Sequence, residues 1–380
     1  MISYAAEAID RTDDHGKILT ALGKISQRAL LCENDPMGPR LEIGWLRESG
    51  ALEIVLPGKP LDFNGNNMVA LLRLLKNVGK ANLSVGRIYE GHINTLYLIH
   101  LYGSEEQRDK YYREVKEQGY LFGIWNTQDS PGVNFIENNG RVQVMGIKTF
   151  CSGALLVNRA LITGNISTAE RDGWQMAVLD MTKIDRSKID IESWKPLGMK
   201  ASGSYTVDFS GYQLNENELL GAPGIYLNQP YFSGGAIRFA AVQLGGAECI
   251  CEETIDYLSR LKRTDDAFQR VRIAKMVSLL VSGKLILEQA AEHYDEWVEE
   301  DDMSEHLIAF ANMTRVIIED SCLQIMEESN RCVGARGLME TLPLGLFFRD
   351  LSFYLRQPAP DATRVNVGAF YLNNPAAIHA

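Results

Sequence analysis

The sequence predicts an α+β fold in which a β module separates two helical regions. Apolar residues recur at helical spacing on both sides of the module. Between residues 120 and 232 their period falls to about two, and glycines divide this stretch into short segments. We therefore expect a helical domain over 1–119, a β domain over 120–232 and a helical bundle over 233–380. A chain of 380 residues is long enough to form several packed units.

The first domain is predicted to be helical from its apolar spacing and its capping residues. Asn66 or Asn67 can cap one helix, which Gly79 ends. Ser104 and Gln107 have the spacing of a capping box, in which each side chain bonds the other residue's backbone amide. We expect helices over residues 16–31, 41–51, 66–79, 83–102 and 104–117.

The β domain begins at residues 120–126 and continues in a hairpin around Gly140, followed by strands near 160–163, 174–181 and 204–209. Two polar patches, at 126–127 and 151–153, lie at the ends of apolar strands. Hydroxyls and backbone amides there can bind a flat heteroaromatic ligand beside Trp125 and Phe150. The residues by themselves favour the simpler interpretation, two hairpins with polar turns.

The last region is predicted to be a bundle of four long helices, over 236–262, 268–299, 304–332 and 343–355, with a shorter helix after Asp361. Such helices should pack antiparallel and offer a flat face for self-association. We therefore expect a homodimer or a homotetramer.

The composition excludes several classes of function. The net charge of −11 disfavours nucleic-acid binding, which needs clustered Lys and Arg. Apolar runs are too short to span a membrane and the N-terminus does not resemble a signal peptide, so we expect a cytoplasmic protein without membrane attachment. The histidines lack metal-ligand spacing, and the six cysteines lack CxxC spacing. No metal site is therefore expected, and the thiols should be reduced and mostly buried.

Several motifs, together with the domain order, resemble the acyl-CoA dehydrogenase superfamily. They are residues 102–107, 146–153, 196–202 and 219–221. The resemblance implies an N-terminal all-α domain, a central β-barrel-like domain and a C-terminal four-helix bundle. It also implies FAD as the cofactor and the α,β-dehydrogenation, at a CH–CH group, of an acyl thioester carried by CoA or a carrier protein.

The resemblance also assigns residues to the cofactor. Thr127 would hold the pyrimidine edge of the flavin, Phe150 would pack against the isoalloxazine, and the Ser152 hydroxyl would approach flavin N5. A loop from a neighbouring subunit would approach the phosphate or adenosine part. The full set of assigned residues is Trp125, Asn126, Thr127, Phe150, Ser152, Arg263, Phe268, Arg331, Gly334 and Gly337.

Dehydrogenation of an acyl thioester needs a carboxylate base, and both positions that hold it in the family are changed here. They are occupied by Pro358 and Ile237, neither of which can accept a proton. Asp361 is the nearest carboxylate and could be the base or the N-cap of the next helix. Arg238, which follows Ile237, is assigned to the substrate.

Three functions remain open on this sequence. The first, which we favour here, is a flavin-dependent dehydrogenase with Asp361 facing the ring. The second is a flavin-dependent monooxygenase, which needs no such base but needs a water-poor pocket. The third is a non-catalytic oligomer that keeps the fold.

Overall fold

A computed structural model describes residues 13–379 except 36, 139–140, 169, 340 and 357–358. The described helices are α1 (Asp13–Gln27), α2 (Ala29–Glu33), α3 (Arg40–Glu48), α4 (Met68–Ala81), α5 (Leu83–Tyr102), α6 (Glu105–Gln118), α7 (Tyr231–Gly234), α8 (Ile237–Arg260), α9 (Ala267–Trp297), α10 (Ser304–Gly337), α11 (Pro343–Tyr354) and α12 (Pro360–Asn373). The described strands are β1 (Phe122–Trp125), β2 (Asn134–Asn138), β3 (Arg141–Met145), β4 (Ile147–Cys151), β5 (Arg159–Ser167), β6 (Asp172–Asp180), β7 (Ile189–Asp190), β8 (Tyr205–Asp208), β9 (Gln213–Leu214) and β10 (Leu219–Leu220).

The N-terminal helices begin and end close to the predicted residues. The capping box before α6 is confirmed, because Gln107 N donates to Ser104 Oγ at 3.2 Å and Ser104 N donates to Gln107 Oε1 at 3.0 Å. The helix predicted over 16–31 is instead two helices, α1 and α2, joined at Arg28. The Arg28 guanidinium binds Asp35 at 2.5 Å and Glu42 at 2.9 Å, which fixes the chain at this joint.

The central domain contains two sheets. The larger has the order β10-β6-β5-β2-β3-β9, with β1 pairing in parallel with β5, and the smaller has the order β4-β8-β7. The predicted hairpin is confirmed as the antiparallel pair β2 and β3, although Gly140 itself lies outside the described residues. The chain passes from the larger sheet to the smaller at Gly146, which has φ +113°.

A buried histidine joins the first domain to the sheet. His92 in α5 contacts the Leu52 carbonyl through Nε2 at 2.7 Å and accepts from Phe122 N in β1 through Nδ1 at 3.0 Å. Burial lowers the pKa of His92 to about 4, because the interior disfavours the charged ring. His92 is therefore a structural core histidine.

The C-terminal helices surround α8, which packs against α9, α10 and α11 and also against α4 of the first domain. A buried ion pair, Lys76 Nζ to Glu248 Oε2 at 2.6 Å, joins α4 to α8. The helix α10 bends at Gly334, whose φ and ψ are 59° and −171°. All six cysteines are free and buried, and no helix in the described ranges is long and apolar enough to cross a membrane.

Candidate functional site

A cavity of about 340 Å³ lies where the three domains meet. One wall comes from the β domain and includes Trp125, Asn126, Thr127, Phe150, Ser152, Trp194, Ser202 and Ser204. The opposite wall comes from the helices and includes Arg87, Glu90, Asn94, Tyr226, Tyr231, Phe232, Arg238, Phe239, Asn312, Arg315, Phe353 and Tyr354. The sequence-predicted residues 125–127, Phe150, Ser152 and Arg238 therefore meet in one cavity.

Aromatic rings line the β-domain wall. Phe150 and Trp194 meet edge to face with centroids 5.7 Å apart, and Trp194 meets Phe353 of α11 in the same way at 5.6 Å. The backbone of Phe150 has φ 56°, an uncommon value for a bulky residue. This conformation leaves the Phe150 side chain 42% exposed beside the cavity, where it offers a flat apolar surface.

A chain of three serine hydroxyls lies in the same wall. Ser152 Oγ and Ser204 Oγ are 2.9 Å apart, and Ser204 Oγ and Ser202 Oγ are 2.8 Å apart. Either oxygen of each pair can donate. Ser202 Oγ, however, also donates its one hydrogen to the Met199 carbonyl at 2.8 Å. Ser204 therefore donates to Ser202 and Ser152 donates to Ser204, which leaves Ser152 Oγ able to accept from a ligand. Trp125 Nε1 holds this segment by donating to the Ser152 carbonyl at 3.1 Å.

A buried lysine supports the neighbouring segment at residues 126–128. Lys148 Nζ donates to the Asn126 carbonyl at 2.9 Å and to Gln128 Oε1 at 2.6 Å, and it lies 3.2 Å from Thr163 Oγ1. Burial lowers the pKa of Lys148 to about 7. The ammonium group of Lys148 thus fixes the polar patch that the sequence analysis identified at the end of β1.

A polar network lines the helical wall. Arg87 pairs with Glu90 at 2.6 Å, Asn94 Nδ2 donates to the other oxygen of Glu90, and Arg238 Nε donates to Asn94 Oδ1 at 2.5 Å. Glu90 is the single carboxylate among the described residues that line the cavity. Both of its oxygens are therefore engaged by side chains of its own helix.

Two further residues of the helical wall are desolvated. Burial lowers the pKa of Arg315 to about 10, although Glu319 opposes this shift. The Tyr354 hydroxyl is buried, has no hydrogen-bond partner among the described residues, and has its pKa raised by burial. Because buried hydroxyls are nearly always hydrogen-bonded, the Tyr354 hydroxyl is a group that a water or a polar ligand in the cavity can satisfy.

The predicted catalytic carboxylate does not face this cavity. Asp361 is exposed and is the second residue of α12, whose N-cap is Ala359. Asp361 is therefore not the N-cap, and it is absent from the cavity lining because α12 packs along the outside of α10. Ile237 is fully buried in α8 and Pro358 lies outside the described residues.

The remaining predicted cofactor residues form a second group away from the cavity. Arg263 and Phe268 lie at the turn between α8 and α9, while Arg331, Gly334 and Gly337 lie at the bent end of α10. The two parts are joined by Arg272 Nη1, which donates to the Arg331 carbonyl at 3.3 Å. None of these residues lines the cavity, so their assignment to a neighbouring subunit's flavin stays a prediction.

Most residues of the helical wall were not predicted from the sequence. Arg87, Glu90 and Asn94 recur at i, i+3 and i+7 on the otherwise apolar helix α5, and this polar stripe was a usable signal. Arg315 and Tyr354 carried no local signal, because only the packing of α10 and α11 against α8 brings them to the cavity.

Residues 223–355 match the family model for the acyl-CoA dehydrogenase C-terminal domain. The described fold is also that of a solved FMN-bound dibenzothiophene monooxygenase from Paenibacillus sp. A11-2. That structure superposes with a TM-score of 0.83 and 18% identity over 95% of this chain and 98% of that one. A further structure of the same enzyme contains FMN and indole.

Curated relatives are distant. A Bacillus subtilis protein whose name assigns it to the acyl-CoA dehydrogenases is 25% identical over 61% of this chain. The dibenzothiophene monooxygenase of Mycolicibacterium goodii is 26% identical over 56% of it. These matches span 60% and 54% of the two relatives. A Pseudomonas putida protein whose name assigns it to the FMNH2-dependent monooxygenases is 23% identical over 93% of both chains.

The fold and the family match define a protein of the acyl-CoA dehydrogenase type, with a β domain between two helical domains. Residues 223–355 are similar to the C-terminal domain of acyl-CoA dehydrogenases, and the described fold is similar to that of flavin enzymes of this type. The named relatives include monooxygenases as well as a dehydrogenase, so this similarity does not by itself fix the reaction.

Proposed function

We propose that this protein is a flavin-dependent monooxygenase that oxygenates a small molecule in the cavity between the three domains. The proposal rests mainly on the surroundings of two carboxylates, Glu90 and Asp361. Glu90 is engaged by Arg87 and Asn94, and Asp361 lies outside the cavity, so neither is placed to remove an α-proton. This arrangement supports the monooxygenase in place of the dehydrogenase favoured by the sequence analysis, as do the relatives named as monooxygenases.

The β-domain wall has the groups that a flavin ring needs. Phe150 and Trp194 offer aromatic surface, and the serine chain leaves Ser152 Oγ able to accept from an N–H of the reduced flavin ring. The polar segment at residues 126–127 lies beside them on the same wall. The orphaned Tyr354 hydroxyl supports a polar ligand in the same cavity.

A reduced flavin supplies two electrons with which dioxygen inserts one oxygen atom into the substrate and releases the other as water. The protein's own groups bind and orient the reactants and limit the access of water. The rings of Trp194 and Phe353 close one side of the cavity, and Tyr226 and Phe232 meet at 5.4 Å on the helical side. A wall that limits water favours oxygen insertion into the substrate over reduction of dioxygen to hydrogen peroxide.

We propose FMN as the flavin and a homo-oligomer as the assembly. Solved neighbours of this fold contain FMN, and the residues predicted to bind the adenosine part of FAD lie away from the cavity. Self-association is supported by an apolar stripe on α9, in which Phe268, Val271, Val281 and Leu285 are 75%, 70%, 47% and 63% exposed.

The test supplies reduced FMN from NADH and a separate flavin reductase, with catalase present, under labelled oxygen (¹⁸O₂). Indole, dibenzothiophene, methanesulfinate and benzoate serve as candidate substrates. We expect one ¹⁸O atom in a product that is absent when the protein is omitted. Products without label in every reaction, together with anaerobic bleaching of bound flavin by an acyl-CoA, would overturn the proposal.

A further inference from the structure

We propose that the substrate carries an anionic group, such as a carboxylate or a sulfinate, and that Arg238 binds this group at the helical wall of the cavity. This inference rests on the proposed function for the reaction, but its evidence is the charge balance of the cavity.

The cavity lining is rich in positive charge. Its described residues include three arginines, Arg87, Arg238 and Arg315, and the single carboxylate of Glu90. The carboxylate of Glu90 forms its ion pair with Arg87. The lining residues therefore carry more positive than negative charge, which favours an anionic ligand.

Arg238 is the residue whose charge lacks compensation. It is only 5% exposed, yet no described carboxylate lies within ion-pairing distance of its guanidinium. Its described contacts are the hydrogen bond from Nε to Asn94 Oδ1 and the ring of Tyr97, 4.9 Å from the guanidinium carbon. Burying a charge without a paired opposite charge is costly, so an anion in the cavity would remove this cost.

The terminal nitrogens of Arg238 are placed to bind that anion. A Cβ atom added at Gly235, which lines the cavity, would lie 2.3 Å from Arg238 Nη2. The nitrogen therefore lies directly over the Gly235 backbone, where an added side chain would displace it. Since Nε is held by Asn94, the guanidinium is fixed in orientation and presents its remaining donors as a fork that suits a carboxylate or a sulfinate.

Arg315 adds a second positive charge on the same wall. Its guanidinium carbon lies 4.9 Å from the ring of Phe239, the residue that follows Arg238 in α8. Asn312, one turn earlier in α10, also lines the cavity and is buried. The anionic group of the substrate would thus lie at the helical wall, and its reacting part would extend toward Phe150 and Trp194.

The test measures binding by calorimetry to the purified full chain without flavin or oxygen. Two matched pairs are compared, benzoate with benzamide and butyrate with butyramide, because each amide keeps the shape and removes the charge. We expect at least one acid to bind at least about tenfold more tightly than its amide. Equal or tighter binding of both amides would overturn the proposal.

Variants then locate the effect. Arg238→Met should lower the affinity for the acid at least about tenfold, to that of the amide, while changing the affinity for FMN less than about twofold. Arg260→Met, an exposed position on the same helix, is the control and should bind the acid as the wild type does. Retained acid preference in Arg238→Met, or loss of FMN binding in place of acid binding, would contradict the assignment.

Circular dichroism checks that Arg238→Met folds. If this variant does not fold, two other measurements decide the proposal: the comparison of acids with amides in the wild type, and binding to Arg315→Met. Arg315→Met should weaken acid binding several-fold and leave amide binding unchanged. The two proposals also fail separately. If the protein prefers the acids but inserts no ¹⁸O, only the proposal of a monooxygenase is overturned. If it inserts ¹⁸O but does not prefer the acids, only the proposal of an anionic substrate is overturned.

Discussion

Two regions that the sequence assigns to flavin binding are built very differently. The first, at residues 125–127 and 150–152, lies on the β domain and is closed by α5, α8, α10 and α11 into one cavity. The second, at residues 263–268 and 331–337, consists of a helical turn and the bent end of α10. Trp125 in the first region is 2% exposed, whereas Phe268 in the second is 75% exposed.

The comparison of the two regions shows what a sequence motif needs, besides its own residues, to form a binding site within one chain. Only the first region has walls from several domains, and these walls exclude water and bring charges and rings together. The second region lacks such walls in the single chain, so it could bind a cofactor only together with another subunit. The following predictions test or sharpen this contrast, starting with the largest expected effect.

Gly198→Ala should damage the joint that closes the cavity. A Cβ atom at Gly198 would lie 2.0 Å from the Arg349 carbonyl of α11, so the segment at 194–199 and the helix would have to separate. We expect the free energy of unfolding to fall by roughly 3–5 kcal/mol, measured by urea denaturation.

Gly23→Ala in α1 is the control, because nothing lies within 4 Å of its added Cβ atom. It should leave stability unchanged or raise it by up to about 1 kcal/mol. Wild-type stability in Gly198→Ala would show that this joint is not closely packed.

Asp350→Asn should change how stability depends on pH. Asp350 Oδ1 accepts from Met199 N at 2.5 Å, and burial, with a smaller contribution from Glu33, raises the pKa of Asp350 to about 7. The folded state thus binds an extra proton between the unfolded pKa, near 3.8, and pH 7. The stability that this proton confers is present below about pH 4 and is lost as the pH rises to 7.

Between pH 4 and pH 8 the wild type should therefore lose about 2–4 kcal/mol relative to Asp350→Asn. Parallel curves of unfolding free energy against pH for the two proteins would refute the role of Asp350.

Phe150→Ala and Arg331→Ala compare the two flavin regions directly. Removing the Phe150 ring from the cavity wall should weaken FMN binding about tenfold, as measured by flavin fluorescence titration. Arg331→Ala should change it less than about twofold, since Arg331 lies outside the cavity. The opposite pattern, or a large loss of FAD binding in Arg331→Ala, would place the flavin at the second region of an assembled oligomer.

Ser152→Ala should have the smallest effect. It removes the oxygen that the serine chain leaves to accept from an N–H of the reduced flavin ring, so the visible absorption of bound flavin should shift and oxygenation should slow about fivefold. Ser187→Ala, an exposed hydroxyl in the same domain, is the control. An unchanged spectrum and rate would remove Ser152 from the flavin ring.

The sequence predicts the elements well where the signals are local. The capping box at Ser104 and the alternation around Val142 and Val144 gave a helix and a hairpin that are present. The prediction of one helix was wrong at Arg28. Arg28 forms ion pairs with Asp35 and Glu42, 7 and 14 positions further along the chain, and these break one apolar pattern into two helices. The last helix was predicted to begin after Asp361 but begins at Pro360, because Ala359 before it has a left-handed conformation.

The candidate site was predictable on one side only. The β-domain wall follows from residues close together in sequence, such as Phe150 and Ser152 at the end of β4. The helical wall depends on contacts between residues far apart, such as Arg238 with Asn94, 144 positions away. Asp361 shows the converse error, because closeness to the family's base position along the chain did not bring its side chain to the cavity.

The most direct test of the central claim is the visible spectrum of the FMN-loaded protein during anaerobic addition of short- and medium-chain acyl-CoA thioesters. A monooxygenase receives its electrons as reduced flavin, and Glu90, the carboxylate among the described lining residues, is held by Arg87 and Asn94 and is not placed to start thioester oxidation. We therefore predict that the absorption bands of oxidised flavin persist with every thioester. Bleaching by any of them would show that electrons pass from the thioester to the flavin, and would contradict the assignment as a monooxygenase.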